Sequence, residues 1–440
     1  MTAIDTQWLD SLVREDRVHR SVYSDPAIFE LEMRRVFGRA WLILGHESQV
    51  SSPGDYFCTE MARQPVIVAR HQDHSIHVLF NRCTHRGSMV CHEQRGNLKQ
   101  FVCPYHGWTY ATNGQLRSVP IAHNYGEDFP ARMAGLNLIP VARVDRYRGF
   151  IFASLAADGP SLLEFLGHMS SSFDDLIDRS PSGEIEVAGG VFKHAYNGNW
   201  KLVLENHNDT VHPAFVHASS IFAASGPETV APTPVSDIAI RQMRQNGVPA
   251  EVWEKLGLWT AGAGHSYMGD YHDDKRLVAG LDNPVFREYA EALGAHLGRA
   301  RANEVLAVSR FNSIVYPNCS FMSQFRQLRI VHPVAVDRTV VHTYSFRMKG
   351  APPKLFQDTI AFGNVVNGTA SWVLTDDLEV YERAQKGLTG QLADWVYLGR
   401  GFGEDRDDEH ATRRGGTGTS EIHIRNQLAA WKRYMNADGA

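Results

Sequence analysis

Long apolar runs, a cysteine-rich framework, an excess of positive charge and a nucleotide-binding glycine fingerprint are all missing from this sequence. No stretch approaches the roughly 18 apolar residues of a membrane-spanning helix, so no membrane span is expected. The start, Met1-Thr2-Ala3-Ile4-Asp5, lacks a basic stretch followed by an apolar core, so no secretory leader is expected and the cytoplasm is the expected location. Five cysteines in 440 residues do not make a disulfide framework. With 44 basic and 49 acidic residues the net charge is −5, which speaks against nucleic acid or an anionic membrane as partner. No internal repeat or low-complexity tract is visible. Gly401-Phe402-Gly403-Glu404-Asp405 is too short and badly placed for a dinucleotide fingerprint. What remains is a chain with 43% hydrophobic residues, long enough for two to three domains or for a small domain joined to a large one.

Against that background two short loops stand out. The first reads Cys83-Thr84-His85-Arg86-Gly87 and the second Cys103-Pro104-Tyr105-His106-Gly107-Trp108. Each mixes one thiol with one imidazole, close enough for a single turn to deliver both. Gly87 and Gly107 follow the histidines, where tight loops need a positive φ or a close backbone approach. Structural zinc is the competing reading, but its fingers usually pair Cys with Cys and His with His. The two loops resemble the Rieske signature, in which one iron of a [2Fe–2S] cluster takes two thiolates and the other two imidazoles. The resemblance implies Cys83, His85, Cys103 and His106 as cluster ligands, with Trp108 limiting water access. Cys91 is expected to be a packed thiol, His92 a surface histidine, and Cys58 and Cys319 buried small hydrophobes.

A second constellation lies in Asn199-Trp200-Lys201-Leu202-Val203-Leu204-Glu205-Asn206-His207-Asn208-Asp209-Thr210-Val211-His212-Pro213-Ala214-Phe215-Val216-His217. Asp209 and His212 are spaced to share a helical face. His212 and His217 would diverge on a straight helix, and Pro213 permits a break that lets them converge. Two histidines and a carboxylate form the facial triad of non-haem ferrous oxygenases, with the other face open.

Over nearly its whole length the sequence resembles the catalytic α subunits of the Rieske non-haem iron ring-hydroxylating oxygenases. The resemblance implies an α+β fold, with a small all-β Rieske domain and a larger catalytic domain whose antiparallel sheet is flanked by helices in a helix-grip arrangement. It implies His212 and His217 as iron ligands. The third comes from Leu374-Thr375-Asp376-Asp377-Leu378-Glu379, where the family pattern selects Asp377, with Asp376 the alternative. Glu379 and Glu382 are assigned to a solvated helix face. Asp209 matches the residue that connects an iron-bound histidine to the Rieske histidine of a neighbouring subunit; an ordinary carboxylate orienting His212 is the alternative. Asn206 matches a residue near the iron, of open role. His207 stands where relatives often carry an apolar residue.

The implied activity is that of a terminal oxygenase using a Rieske cluster, Fe(2+) and O2 to hydroxylate an aromatic compound, with aromatic acids among the candidates. Dihydroxylation competes with monooxygenation and O- or N-demethylation, and a non-catalytic Rieske electron carrier is the reading from another class. NAD(P)H would act indirectly through a reductase, with or without a ferredoxin. A trimeric ring is implied, α3β3 with a small β subunit or α3 alone.

Along the chain, residues 1–40 read as a helical segment packing with the catalytic domain, 41–157 as the Rieske domain and 158–440 as the catalytic domain. Ser24-Asp25 is a candidate cap for a helix from Pro26 to Phe37. Pro65–Arg70 and Ile76–Asn81 read as a hairpin, and Val191–Tyr196, Phe311–Tyr316, Gln327–His332 and Thr339–Arg347 as strands. Helices are expected over Trp200–Val211 and much of Lys354–Gln385, and loops over Ala223–Pro234 and Thr412–Gly418. Pocket walls are expected after His217, within residues 255–310 and near Asn312 and Phe321.

Overall fold

The computed structural model describes residues 6–226, 234–271 and 282–437. The chain divides into two units, Phe37–Leu162 and Met1–Val36 together with Leu163–Ala440. None of the helices in the described residues is long and apolar enough to cross a membrane.

The smaller unit is built from short antiparallel strands. Gln64–Arg70 and Ile76–Phe80 form the expected hairpin, and Asp55–Met61 and Arg95–Asn97 extend it to a four-stranded sheet. Asp73 accepts from the Ser75 N–H at 2.9 Å, and His74 takes a positive φ, which closes the turn. A second sheet runs Gln100–Val102, Thr109–Ala111, Leu116–Ser118. Ile67, Leu79, Phe101, Trp108, Tyr110 and Leu138 are buried together in one apolar cluster.

The larger unit carries an antiparallel sheet of nine described strands. Their order is Ile185–Tyr196, Arg338–Met348, Gln327–Ala335, Cys319–Met322, Val308–Val315, Ser266–Tyr271, Gly257–Thr260, Thr412–Arg414 and Arg406–Asp408. The strand Gln327–Ala335 reads as a near-continuous buried run, as expected of a strand covered on both faces. The helix Pro353–Asn367 lies close on the sheet. A Cβ at Gly363 would come within 3.1 Å of Gln327 and 3.5 Å of Phe192.

Asp25 caps the helix Pro26–Arg35, accepting from the Ala27 N–H at 2.7 Å, with Pro26 in the first turn. That helix delivers Glu32 into the core. Its carboxylate accepts from the Trp200 indole at 2.8 Å and the Trp431 indole at 2.6 Å, and pairs with the Lys201 ammonium. Glu32 and Lys201 are both buried, so each needs the other. Asn199 caps the next helix, Trp200–His207, and the Asn199 amide also reaches the Tyr23 carbonyl. The Asn-Trp-Lys triplet is therefore the joint between the N-terminal helices and the helix that leads to the candidate site.

Three local expectations change. Thr412–Arg414 is not loop but strand, because Arg413 and Arg414 pair with Thr260 and Trp259. In the expected Ala223–Pro234 loop, Ala223, Ala224 and Ser225 end the helix Ala218–Ser225, while residues 227–233 lie outside the described residues. The helix expected to run to Val211 stops at His207, where Asn208 leaves helical geometry with φ −111° and ψ 13°.

Candidate active site

The two Cys/His loops have the same backbone despite different spacing. The Gly87 N–H donates to the Cys83 carbonyl and the Gly107 N–H to the Cys103 carbonyl, both at 3.0 Å. The Cys83 N–H meets the Ser88 carbonyl and the Cys103 N–H the Trp108 carbonyl, both at 2.8 Å. The glycines have φ of 76° and 69°, as the tight turn requires. Cys83 and Cys103 are buried, and the rings of His85 and His106 lie with centroids 4.6 Å apart. The Nδ1 atom of each ring is buried without a hydrogen-bond partner. Two buried thiols and two inward imidazole nitrogens lacking partners are the donor set a Rieske cluster takes, so these residues fit that group. Trp108 is buried and stacks on His85 at 4.9 Å, and the Tyr110 hydroxyl lies 3.2 Å from Cys83 Sγ. Cys91 and Cys319 are buried and His92 is exposed, whereas Cys58 is half-buried.

In the larger unit His212, His217 and Asp377 converge, with one donor atom from each lying within 4.8 Å of the others. Asp377 Oδ1 is 3.7 Å from His212 Nε2 and 3.5 Å from His217 Nε2. The route to this geometry differs from the expected kink. The chain breaks before His212, over residues 208–211, and Pro213 sits in the first turn of a five-residue helix, His212–Val216. Asp209 and His212 consequently do not share one helix. Asp377 comes from the first turn of Leu374–Leu388, where the Ser371 hydroxyl accepts from the Leu374 N–H at 2.8 Å. Burial raises its pKa, against the charge of the two histidines and a 3.4 Å hydrogen bond from the Asn206 amide. A positive ion among these three donors would offset that burial cost. Asn206 thus touches the carboxylate rather than filling a donor position.

Each imidazole has a carboxylate behind it. Asp376 Oδ2 is 3.3 Å from His217 Nδ1, and Asp209 Oδ2 is 3.7 Å from His212 Nδ1. The second distance is too long for a direct hydrogen bond. Burial opposes ionisation of Asp209, but His212, the Val211 N–H and Arg400 outweigh it and hold the carboxyl well below the usual range. Its Oδ1 accepts from the Val211 N–H at 2.9 Å and from Arg400 at 3.2 Å. Arg400 directly precedes the Gly-Phe-Gly-Glu-Asp segment, whose Asp405 is paired with Arg425 at 2.7 Å. Glu379 and Glu382 make exposed pairs with Arg383 and Lys386, away from the donors.

A cavity of about 100 Å³ lies beside the triad. Phe311, Met322, Phe362, Val366 and Leu374 give it apolar walls, and Asn312, His194 and Arg329 a polar side. Gln242, Trp253 and Met268 also line it, in the region expected after His217 and within 255–310, of which residues 272–281 lie outside the described residues. Phe321 is not on the wall; it is fully buried against Phe173. Arg329 was not singled out by spacing or motif. Its one sequence signal is a charged residue inside the otherwise buried strand Gln327–Ala335.

Two families of known proteins match the chain. The Rieske [2Fe-2S] domain family matches residues 40–140, and the ring hydroxylating alpha subunit (catalytic domain) family matches residues 184–436. The chain is 34% identical to the toluate 1,2-dioxygenase subunit alpha of Pseudomonas putida, over 87% of this chain and 83% of that protein. It is 32% identical to the 2-halobenzoate 1,2-dioxygenase large subunit of Burkholderia cepacia, over 88% and 80%. Among solved structures it is similar to naphthalene 1,2-dioxygenase with indole bound in the active site, at 28% identity and a TM-score of 0.81, covering 97% of this chain and 94% of that one.

Proposed function

Since the chain belongs to the ring-hydroxylating oxygenase α subunits, terminal oxygenases that carry a Rieske [2Fe–2S] cluster and a non-haem ferrous ion, we propose a role for each candidate residue in dihydroxylation of an aromatic ring. Cys83, His85, Cys103 and His106 hold the cluster, and His212, His217 and Asp377 the ferrous ion. Bound there, the cluster would supply one-electron transfer and the ferrous ion O2 activation beside the substrate. Two electrons that originate in NAD(P)H and two protons balance the addition of both oxygen atoms to the ring.

The chain's own groups prepare this chemistry. Asp376 and Asp209 face the Nδ1 atoms of His217 and His212, which keeps the proton there and leaves each Nε2 lone pair free. The Asn206 amide holds Asp377 Oδ1. The apolar walls of the cavity exclude water from the ring. The observation that carries the reading is the convergence of the three donors within 4.8 Å. Asp377→Ala should lose mononuclear iron and product formation yet keep the Rieske spectrum. Retained activity there, with loss in Asp376→Ala instead, would move the ligand by one residue.

The assembly we propose is a trimeric ring of α subunits with a small β partner, fed by a reductase with or without a ferredoxin. Asp209 would link His212 to His106 of the partner subunit. Its supporting feature is a carboxylate held ionised, half-buried, with Oδ1 occupied and Oδ2 turned to His212.

A further inference from the structure

The cavity beside the triad contains a buried cation that has no acid of its own. Arg329 is 7% exposed and lines the cavity from the strand Gln327–Ala335. Its hydrogen bonds go to Asn312 Oδ1 at 3.4 Å and to the thioether of Met322 at 2.9 Å. A long amide contact and a weak sulfur acceptor leave most of its five N–H donors for something else. No carboxylate lies within ion-pair distance of it among the described residues.

Other buried or half-buried arginines in the same unit are provided for. Arg179 pairs with Asp175 at 2.9 Å and Arg425 with Asp405 at 2.7 Å. Arg310 donates to the hydroxyls of Ser171 and Ser172 and lies over the Tyr267 ring. Burying a guanidinium without such partners is costly unless a ligand completes it. Asp377 acts on Arg329 through space, but it is one of the three converging donors. Burial lowers the Arg329 pKa to about 10, which still leaves it cationic at neutral pH. Beside it His194 has both ring nitrogens buried without a partner and also lines the cavity. Burial, then the charge of Arg329, pushes His194 down to about 4, so it is a neutral donor. Phe311, Met322, Phe362, Val366 and Leu374 make apolar walls beside the neutral Gln242, Asn246 and Asn367, and a volume of about 100 Å³, below the roughly 150 Å³ of an engineered cavity that takes benzene, leaves room for no more than one ring.

We propose that Arg329 is a substrate-anchoring residue that takes the carboxylate of a one-ring aromatic acid and holds the ring between Phe311, Phe362 and the His212–His217–Asp377 triad. This rests on the reading that the cavity is where the ring is oxidised. A planar guanidinium matches a carboxylate in a bidentate geometry that an ammonium cannot reproduce.

Calorimetry on the anaerobic holoenzyme, without reductant, tests the anchor apart from turnover. Benzoate should bind at least tenfold more tightly than its neutral isostere benzamide. Arg329→Met should erase that difference at unchanged iron content and Rieske spectrum, and Arg329→Lys should restore part of it. In turnover with a surrogate reductase, the benzoate-to-toluene ratio of kcat/KM should fall at least a hundredfold in Arg329→Met. Equal binding of benzoate and benzamide by the wild type, no benzoate binding, or an unchanged preference in Arg329→Met would overturn the anchor. The wild-type pair decides even if the variant fails to fold. Oxidation of toluene as efficiently as benzoate would sink the anchor and leave ring hydroxylation standing. Arg329-dependent benzoate binding with no oxidation of either ring would do the reverse.

Discussion

Each cluster loop brings its thiol and its imidazole together within one turn, closed by the same two backbone hydrogen bonds in both loops. The candidate iron site has no such economy. Its histidines come from a short helix entered through a break at residues 208–211, and its carboxylate from the start of a helix that begins at Leu374. What positions them is the packing of the larger unit, including the buried Glu32–Lys201 pair that ties the N-terminal helices to Trp200–His207. The contrast teaches that one centre is encoded by local turns and the other by a distributed core. Substitutions far from the iron should therefore reach it, while leaving the cluster loops intact.

The largest effect is expected where the two centres must communicate. Asp209→Asn should keep both metals and the oligomer, while electron transfer between them falls by orders of magnitude. A neutral amide loses the charge that faces His212 and Arg400. Single turnover would reveal it, because a pre-reduced cluster should fail to reoxidise with substrate and O2. Normal reoxidation would mean that Asp209 only orients His212.

Glu32→Ala comes next. It strands the buried Lys201 charge and two indole N–H groups, which should cost about 3–5 kcal/mol. Denaturant titration of tryptophan emission would measure it. In the folded variant the mononuclear iron content should drop while the cluster absorbance stays at its wild-type level. Equal loss of both would show that the cluster depends on the same core. Asp376→Asn acts on the iron site alone, since it weakens the group that orients His217. A ferrous titration should show an affinity loss of about 10- to 100-fold.

The same contrast explains what could be read in advance. Cys83, His85, Cys103 and His106 are legible as candidates because each Cys/His pair sits in one loop, and Gly87 and Gly107 mark the turn. The strands and hairpin followed from alternating and continuous apolar runs. Asp377 needed the family pattern, because nothing in Asp376-Asp377 itself says which acid faces inward. The structure divides the work: Asp377 faces both Nε2 atoms and Asp376 faces a Nδ1. The helical pairing of Asp209 with His212 failed because the non-helical Asn208 ends the helix, a boundary that spacing does not reveal. Arg329 is illegible in the sequence for a different reason. Its meaning lies in the partner it lacks, and a missing partner is visible only once the neighbours are in place.

Glu205 offers the finest test, because it lies on the helix that leads to the iron site and far in sequence from either cluster loop. Burial, opposed by the Tyr23 hydroxyl at 2.8 Å and by Lys201, raises its pKa from 4.5 to about 7. Between those values the folded state holds a proton that the unfolded state has lost. Stability from this group is therefore complete below pH 4.5 and declines as the pH rises towards 7. Glu205 keeps some contact with solvent, which screens the effect to about 1 kcal/mol across the window. In Glu205→Gln the amide cannot ionise, so this part of the pH dependence should vanish. Denaturant midpoints at pH 5 and pH 7 should then differ less in the variant than in the wild type, with the cluster absorbance unchanged at both. An identical midpoint shift in the two proteins would mean that Glu205 stays ionised in the fold, held by Lys201 rather than by a proton.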